Sequence, residues 1–334
     1  MKYGFLKIAF FILIFIYIIF SHNKKNKFKN ILLETFSNFN IAELKDEKER
    51  KLFITNLTEF YLYYRKKYLL KYKILYNESD LLTFQDKLNY LAIHESPQYK
   101  SIIVDKIRLH DYSKKILGKD ICVPILKIYN NIENIDFNHL PDKFVMKYNH
   151  GSGMNIICDD KAKFDVENAK KKLYIWKNIN YGLLTAEFQY MFVKKRILVE
   201  KLLEKNLIDY KIYCFNGNPE FILTKKKYNN TIIKNYYNLE WKCIILEQDS
   251  NNFNQIYKIP KPKNLSLMIK YAKLLSQEFV FVRVDLYEIN NQVFLGELTF
   301  TPCNGFKTWI NMNTTIRLGK LLNIKRIRNY LFNK

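Results

Sequence analysis

Residues 143–157 read KFVMKYNHGSGMNII. Two apolar runs flank a glycine–serine–glycine, and a lysine stands near the end of the first run. The chain has only 9 glycines in 334 residues, so two of them on either side of Ser152 call for a reason. The pattern predicts strand, tight loop, strand, with Lys147 aimed at whatever the loop covers. Glycine lets backbone N–H groups come close to an anion, and lysine adds a point charge. On this stretch alone a β-hairpin with a solvated lysine is an equal reading, and the rest of the chain has to decide.

The second informative stretch is FVFVRVDLYEINNQVFLGELTF, residues 279–300. Alternating apolar residues around Asn-Asn predict a hairpin. Pairing back from the turn can bring Asp285 and Glu297 onto neighbouring positions of one sheet face, and Arg283 shares the face of Asp285. Two close carboxylates repel unless a cation lies between them. Magnesium takes one or two carboxylates together with phosphate oxygens and water. The alternative is a pair of surface acids on an exposed face, but they interrupt buried-looking strands, which favours function. A third stretch, RILVEKLLEKNLIDYKIYCFNG (196–217), has one β-run ending at Glu200 and another beginning near Asp209. The linker backbone between them suits a flat base, with Asp209 placed for a ribose hydroxyl.

The whole chain is long enough for two domains or one large one. Its formal charge of +23 points first to nucleic acid or a membrane surface. No RNA- or DNA-binding motif accompanies it. Lys, Asn, Ile, Tyr and Phe are over-used together, so the skew is one of composition and gives a lysine-rich solvated surface; attraction to anionic lipid or an acidic polymer is the weaker alternative. The five cysteines (122, 158, 214, 243 and 303) are scattered among largely apolar neighbours without a CxxC. Reduced thiols fit better than disulfides or zinc.

The first twenty residues, MKYGFLKIAFFILIFIYIIF, carry no charge from Ile8 to Phe20. No small-x-small cleavage site follows, and Lys24, Lys25, Lys27 and Lys29 come next. An uncleaved single-pass anchor over 1–22, with the remainder on the cytoplasmic side, is the expectation; a cleaved signal peptide is the rival. Residues 23–84 read as a helical, basic and aromatic region, largely helix over 41–76. Two helices are predicted within 84–117, a strand at ICVPILKIY, helix over 165–192, several short strands to about 241, a helix over 263–277 and a basic C-terminal helix in 311–334. The mixture of helices and antiparallel strands predicts an α+β fold.

The order of KFVMKYNHGSG, DYKIYCFNG, FVRVDLY and GELTF resembles the ATP-grasp superfamily, and within it the TupA-like (teichuronopeptide) family associated with cell-surface polysaccharides. The resemblance covers roughly residues 85–310. It implies two α+β subdomains gripping ATP: a small phosphate-loop subdomain at about 120–195 and a metal-binding one at about 196–310. It implies that Lys106 and Lys147 bind the α- and β-phosphates. The loop of His150, Gly151, Ser152 and Gly153 folds over the phosphates. Glu200 and Leu202 form the adenine hinge and Asp209 holds the ribose. Asp285 and Glu297 carry Mg2+, and Arg283, with Lys147, acts on the transferred phosphoryl group. Lys211 or one of Lys225–Lys227 adds positive charge. Many ATP-grasp ligases have asparagine where this chain has Thr299, a feature shared with the TupA-like pattern, and the chain reads TPCNGF around Cys303 where relatives often carry glycine after the proline.

The activity implied is an ATP- and Mg2+-dependent carboxylate–amine ligase working through an acyl phosphate, with sugar- or amino-acid-derived substrates and no nucleic acid. The histidines other than His150 then read as surface or packing residues. A glycosyltransferase is the first alternative, but CDD at 158–160 and DKAKFD supply no convincing nucleotide-sugar site. A silent scaffold is the second, and it would be free to lose Lys147, Asp285 or Glu297.

Overall fold

The computed structural model describes most residues of 58–71 and residues 76–204, 207–228, 231–246, 259–306 and 309–327. The chain divides into two compact units, residues 1–75 with 329–334, and residues 76–328. In the first unit the described residues between 58 and 71 are helical, as an uninterrupted run without Gly or Pro predicts. The expectation of a single-pass, membrane-anchored protein is corrected: among the described residues no helix is long and apolar enough to cross a membrane. Residues 1–22, on which that expectation fell, lie outside the described residues.

The second unit opens with three helices: α1 (Phe84–His94), α2 (Pro97–Val104) and α3 (Arg108–Leu117). The sequence predicted two. The extra break lies at Asp105, whose carboxylate accepts a hydrogen bond from the Ile107 N–H at 2.9 Å. An aspartate bonded to its own backbone two residues on offers an alternative to helix, and Lys106 is displayed in the gap. Local chemistry sets the other ends. Thr83 and Asp86 form a capping box at α1, Ser96 precedes Pro97 at the start of α2, and Gly118 ends α3 at φ 72°.

The first sheet comprises β1 (Ile125–Tyr129), β2 (Phe144–Tyr148), β3 (Asn155–Cys158) and β4 (Ile197–Lys201), in the order β1-β4-β2-β3 with antiparallel pairings. Helix α4 (Val166–Lys177) follows β3, and the short α5 (Tyr181–Thr185) comes next. Ala169 and Leu173 of α4 share a core with Phe144, Met146, Ile156, Ile197 and Val199. Side chains alternate across a strand, so Val145, Lys147, Leu198 and Glu200 take the opposite face. Because β4 pairs with both β1 and β2, it belongs to this sheet. The subdomain division expected at 195/196 therefore falls one strand early.

The second sheet comprises β5 (Ile208–Phe215), β6 (Asn218–Tyr228), β7 (Thr231–Tyr237), β8 (Cys243–Ile244), β9 (Phe281–Ile289) and β10 (Gln292–Thr299), in the order β10-β9-β5-β6-β7-β8. The predicted turn is present, with Asn290 and Asn291 at φ 50° and 61°, the conformation a two-residue hairpin needs. Helix α6 (Leu265–Ser276) packs Met268, Ala272 and Leu275 against Ile212, Cys214, Val282 and Val284 on one face. On the other face, Tyr213, Phe215, Phe221 and Phe281 meet Phe84 and Leu88 of α1, Trp309, and Leu318 of α7 (Met312–Leu321). That cluster covers one end of the face. Each fully buried Phe or Leu contributes about 1.5–3 kcal/mol, which makes this aromatic end a rigid floor beside the polar end.

Candidate active site

The two glycines of the opening stretch serve different ends. A Cβ on Gly151 would lie 2.8 Å from the Tyr181 ring, so the residue must be glycine to pass beneath that ring. Gly153 has open space around it but a φ of +75°, a conformation glycine adopts without steric cost. Ser152 and Gly153 are exposed at the tip. The loop is tied down from inside by Asn149, which is fully buried. Its amide donates to Asp105 Oδ1 and to the Lys194 carbonyl, both at 2.9 Å, and its oxygen accepts from the Arg196 N–H at 2.8 Å. Asn149 thus joins the loop, the entry to β4 and the residue before Lys106. Lys106 Nζ donates to the Gly151 carbonyl at 2.8 Å. Asn149 and Asp105 were missed in the sequence; their signal was a lone Asn ahead of HGSG and an Asp ahead of a lysine in an otherwise helical run.

The His150 side chain turns inward, away from the loop's tip. Its ring is buried against Tyr148, edge-on at 4.9 Å, and Nε2 lies 3.2 Å from the Trp176 carbonyl. A carbonyl only accepts, so Nε2 carries the proton. Nδ1 is buried without a hydrogen-bond partner. Burial, aided by Lys195, pushes the ring down to about 4, so it is neutral at physiological pH. Only its backbone remains to line the loop.

Lys147 projects from the face of the first sheet opposite α4, where its Nζ meets Glu200 Oε2 at 2.5 Å. The register explains the pair: Lys147 stands opposite Leu198 and Glu200 opposite Val145, so the two charged residues are diagonal neighbours on one face. The Glu200 carboxylate is buried and committed to Lys147. Leu202 follows the end of β4 in irregular, half-exposed backbone. Lys106 lies between the sheets: burial pulls its ammonium down, while Glu297 of the second sheet and Glu200 of the first pull it up and Lys147 adds repulsion.

On the second sheet the decisive feature is a bulge. Counting straight back from Asn290-Asn291 would set Asp285 opposite Gly296 and turn Glu297 to the other face. Instead the register slips between Leu295 and Glu297, so Asp285 pairs with Glu297. A one-residue slip exchanges the faces of every side chain beyond it. Gly296 absorbs the slip, and a Cβ there would strike the Tyr287 ring at 2.6 Å.

The slip assembles a charge cluster on one face. Arg283 Nε donates to Asp285 Oδ1 at 2.6 Å and an Arg283 terminal nitrogen donates to Oδ2 at 2.7 Å. Lys211, directly opposite Asp285 on β5, reaches Oδ2 at 2.5 Å and Asp209 at 3.3 Å. Arg283 also donates to Glu297 Oε1 at 3.2 Å and to the Thr299 hydroxyl at 3.0 Å, and that hydroxyl donates to Glu297 Oε1 at 3.0 Å. Burial raises the Asp285 carboxyl, and Arg283 and Lys211 pull it back. Burial would raise Glu297 too, but Arg283, Lys106 and Lys211 outweigh it and hold the carboxyl down to about 2. Of the alternatives left open among the lysines, Lys211, Lys225 and Lys227 lie on this face, and Lys226 on the other.

Asp285 and Glu297 bring hard carboxylate oxygens together, the donor set that suits Mg2+. Arg283 and the Thr299 hydroxyl both engage Glu297 through Oε1. Another cluster, His110, Asp120 and Cys122, has its ligand atoms within 4.8 Å of one another. Asp120 is already engaged by His110 at 2.7 Å and by the Cys122 N–H at 2.9 Å, and burial raises the thiol far above its usual value. These hydrogen bonds account for the closeness of the three side chains.

Two antiparallel sheets presenting lysines and a glycine loop on one side and paired carboxylates on the other define a protein of the ATP-grasp class. A family model described as TupA-like ATPgrasp matches residues 86–323. The chain belongs to the TupA-like ATP-grasp family. No curated protein matches the sequence. Among solved structures the chain is similar to D-alanine–D-alanine ligase from Bacillus anthracis complexed with ATP, at 16% identity and a TM-score of 0.42, over 76% of this chain and 75% of that one. It is also similar to an L-amino acid ligase from Bacillus licheniformis, at 11% identity and a TM-score of 0.40, over 62% of this chain and 45% of that one. For the ADP complex of N5-carboxyaminoimidazole ribonucleotide synthetase the values are 13%, 0.40, 64% and 50%.

Proposed function

We propose that the protein is an ATP- and Mg2+-dependent carboxylate–amine ligase that works through an acyl phosphate, in the assembly of a cell-surface polysaccharide. The observation that carries the reading is the Asp285–Glu297 pair, set opposite one another by the Gly296 bulge beside Arg283 and Lys211. Four cations (Lys106, Lys147, Lys211 and Arg283) and four carboxylates (Asp209, Glu200, Asp285 and Glu297) interact among themselves here. A nucleotide triphosphate with its metal exchanges these partners, phosphate oxygens taking the cations and the metal taking the carboxylates.

In this reading Lys106 and Lys147 hold the α- and β-phosphates, and the backbone of 150–153 covers them. Asp209 faces the ribose, and the backbone following Glu200, through Leu202, meets the base. Asp285 and Glu297 hold Mg2+, which when bound neutralises charge on the phosphoryl oxygens. The substrate carboxylate oxygen forms a bond to the γ-phosphorus as the bond to the β-bridging oxygen breaks, giving ADP. Arg283, held by Asp285, stabilises the charge of the transferred group. An amine nitrogen then bonds to the acyl carbon, phosphate leaves with the bonding pair, and the amine loses a proton. No side-chain nucleophile is required.

The test is incubation of the full chain with Mg·ATP, hydroxylamine and a panel of uronic and amino acids. ADP together with a hydroxamate is the expected product. AMP and pyrophosphate would contradict the acyl phosphate, and sugar transfer from a nucleotide sugar without ATP use would replace the ligase with a glycosyltransferase.

A further inference from the structure

The segment that joins α5 to β4 belongs to neither sheet, yet it reaches the end of β10. It leaves α5 through Ala186, buried at φ 53° and ψ 33°, a left-handed conformation that residues with a side chain seldom adopt. Next comes Glu187, also buried, whose carboxylate accepts from the Thr301 hydroxyl at 2.5 Å. Thr301 lies two residues beyond Thr299 of the charge cluster. A short 3-10 turn follows over Phe188–Phe192 and packs on α2. It lies so close to α5 that a Cβ on Gly182 would come within 2.9 Å of the Met191 nitrogen.

Tyr190 is in the middle of this turn, and its N–H donates to the Glu187 carbonyl at 3.1 Å. Its ring meets Tyr181 edge-on at 5.0 Å, and Tyr181 is the ring beneath which Gly151 passes. The Tyr190 ring also adjoins the core that holds Ile103 and Val104 of α2 with Leu298 and Phe300 at the end of β10. Tyr190 therefore stands between the glycine loop and the sheet that carries the carboxylates. The side chain is half-buried, and among the described residues its hydroxyl has no hydrogen-bond partner. Burial, then Glu187 and Glu297, push the phenol well above its usual value, and Arg283 offsets only part of this. The hydroxyl thus feels both Glu297 and Arg283, and at physiological pH it keeps its proton and can donate.

In the ligase reading the phosphate oxygens are served by Lys106, Lys147 and Arg283. The acyl oxygen has no donor among the residues assigned so far. As an amine nitrogen bonds to the acyl carbon, the C=O electron pair moves onto that oxygen, and it returns as the bond to phosphate breaks. We infer that Tyr190 is a further catalytic residue: its hydroxyl donates to the acyl oxygen while Arg283 holds the phosphoryl group, and it stabilises the charge that gathers on that oxygen during amine attack. The phenol proton stays on Tyr190 throughout. This rests on the ligase reading above and adds the group that serves the acyl side of the site.

The experiment compares the full chain with Tyr190→Phe and Tyr190→3-fluorotyrosine. The first keeps the ring against Tyr181 and removes the donor; the second keeps the shape and makes a more acidic donor. Calorimetry measures Mg·ATP affinity. Hydroxamate formation from hydroxylamine and the same panel of uronic and amino acids measures attack on the acyl carbon. Removing one donor of this kind costs on the order of 10²–10³ in rate. The expected result for Tyr190→Phe is a loss of at least tenfold in kcat/KM for hydroxylamine, with Mg·ATP affinity within about twofold of wild type. Tyr190→3-fluorotyrosine should match or exceed wild type. A smaller loss, or equal rates in all three proteins, makes Tyr190 a packing residue and overturns the inference. A matching loss of Mg·ATP affinity assigns the hydroxyl to the nucleotide and overturns it too, as does a wild-type chain that binds Mg·ATP but turns over no acid of the panel. A folded wild-type chain that binds no Mg·ATP instead removes the ligase reading itself. Tyr190→Phe keeps the ring packing, so it should melt within a few degrees of wild type.

Discussion

Asp285→Asn is the most demanding perturbation of this site. The Asp285 side chain is 1% exposed and receives three charge-assisted hydrogen bonds, two from Arg283 at 2.6 and 2.7 Å and one from Lys211 at 2.5 Å. The asparagine keeps one acceptor oxygen and turns an NH2 towards a cation. Among the described residues, Arg283 and Lys211, both more than nine-tenths buried, then keep as carboxylate partners Glu297 and Asp209, which are about a third exposed. Removing one member of a buried ion pair costs about 3–5 kcal/mol. For a unit of this size that corresponds to a fall in Tm of roughly 6–20 °C, at about 2–4 °C per kcal/mol. Urea denaturation of the full chain, followed by near-UV circular dichroism, measures it. Adding Lys211→Met should recover part of the loss, because it removes one of the stranded charges. A single variant within about 0.5 kcal/mol of wild type, a surface-like value, would refute the reasoning: Asp285 would not be what holds Arg283.

Three further outcomes follow from the same geometry. The ring of His150 is neutral when folded, with its pKa lowered from 6.5 to about 4. The unfolded chain therefore binds the extra proton in that window, and stability should fall as pH drops from 6.5 towards 4, by about 3 kcal/mol in all. Denaturation at several pH values should show this slope, flattened in His150→Gln. Glu297, held down to about 2, adds a loss below pH 4.5 in the same direction. Gly296→Ala forces a Cβ to within 2.6 Å of the Tyr287 ring; we expect a cost of about 1–3 kcal/mol and weaker Mg2+ dependence of ATP binding. Asn149→Ala strands the Arg196 N–H and removes one hydrogen bond from the Asp105 carboxylate, at about 1–3 kcal/mol, and should raise KM for ATP because it releases both the glycine loop and Lys106.

Much of the fold was legible because its signals are local. Asn290-Asn291 can be read as a hairpin turn without knowing its surroundings, and KFVMKYNHGSGMNII as strand, loop and strand. The two carboxylates were legible as polar interruptions of apolar strands. Their juxtaposition was legible as one outcome of pairing back from the turn, but the bulge that produces it was not, since straight counting sends them to opposite faces. Gly296 was the only trace of the bulge, and a glycine in a strand marks a bulge or a close approach equally well. The inward turn of His150 was hidden for a related reason: nothing in HGSG tells which of its members packs beneath α4 and which faces out. The split between α2 and α3 depended on one Asx bond at Asp105, and the membership of β4 in the first sheet on pairings with strands far earlier in the chain.

The central claim is that this face binds a nucleotide through Lys147 and a metal. The most direct measurement is calorimetric titration of the full chain with ATP, with and without Mg2+, beside Lys147→Ala. The account predicts binding that requires Mg2+ and weakens at least tenfold, about 1.4 kcal/mol, in the variant, with the fold retained. A well-folded wild-type chain that binds no ATP with Mg2+ present, or one whose affinity is unchanged by Lys147→Ala, would contradict it.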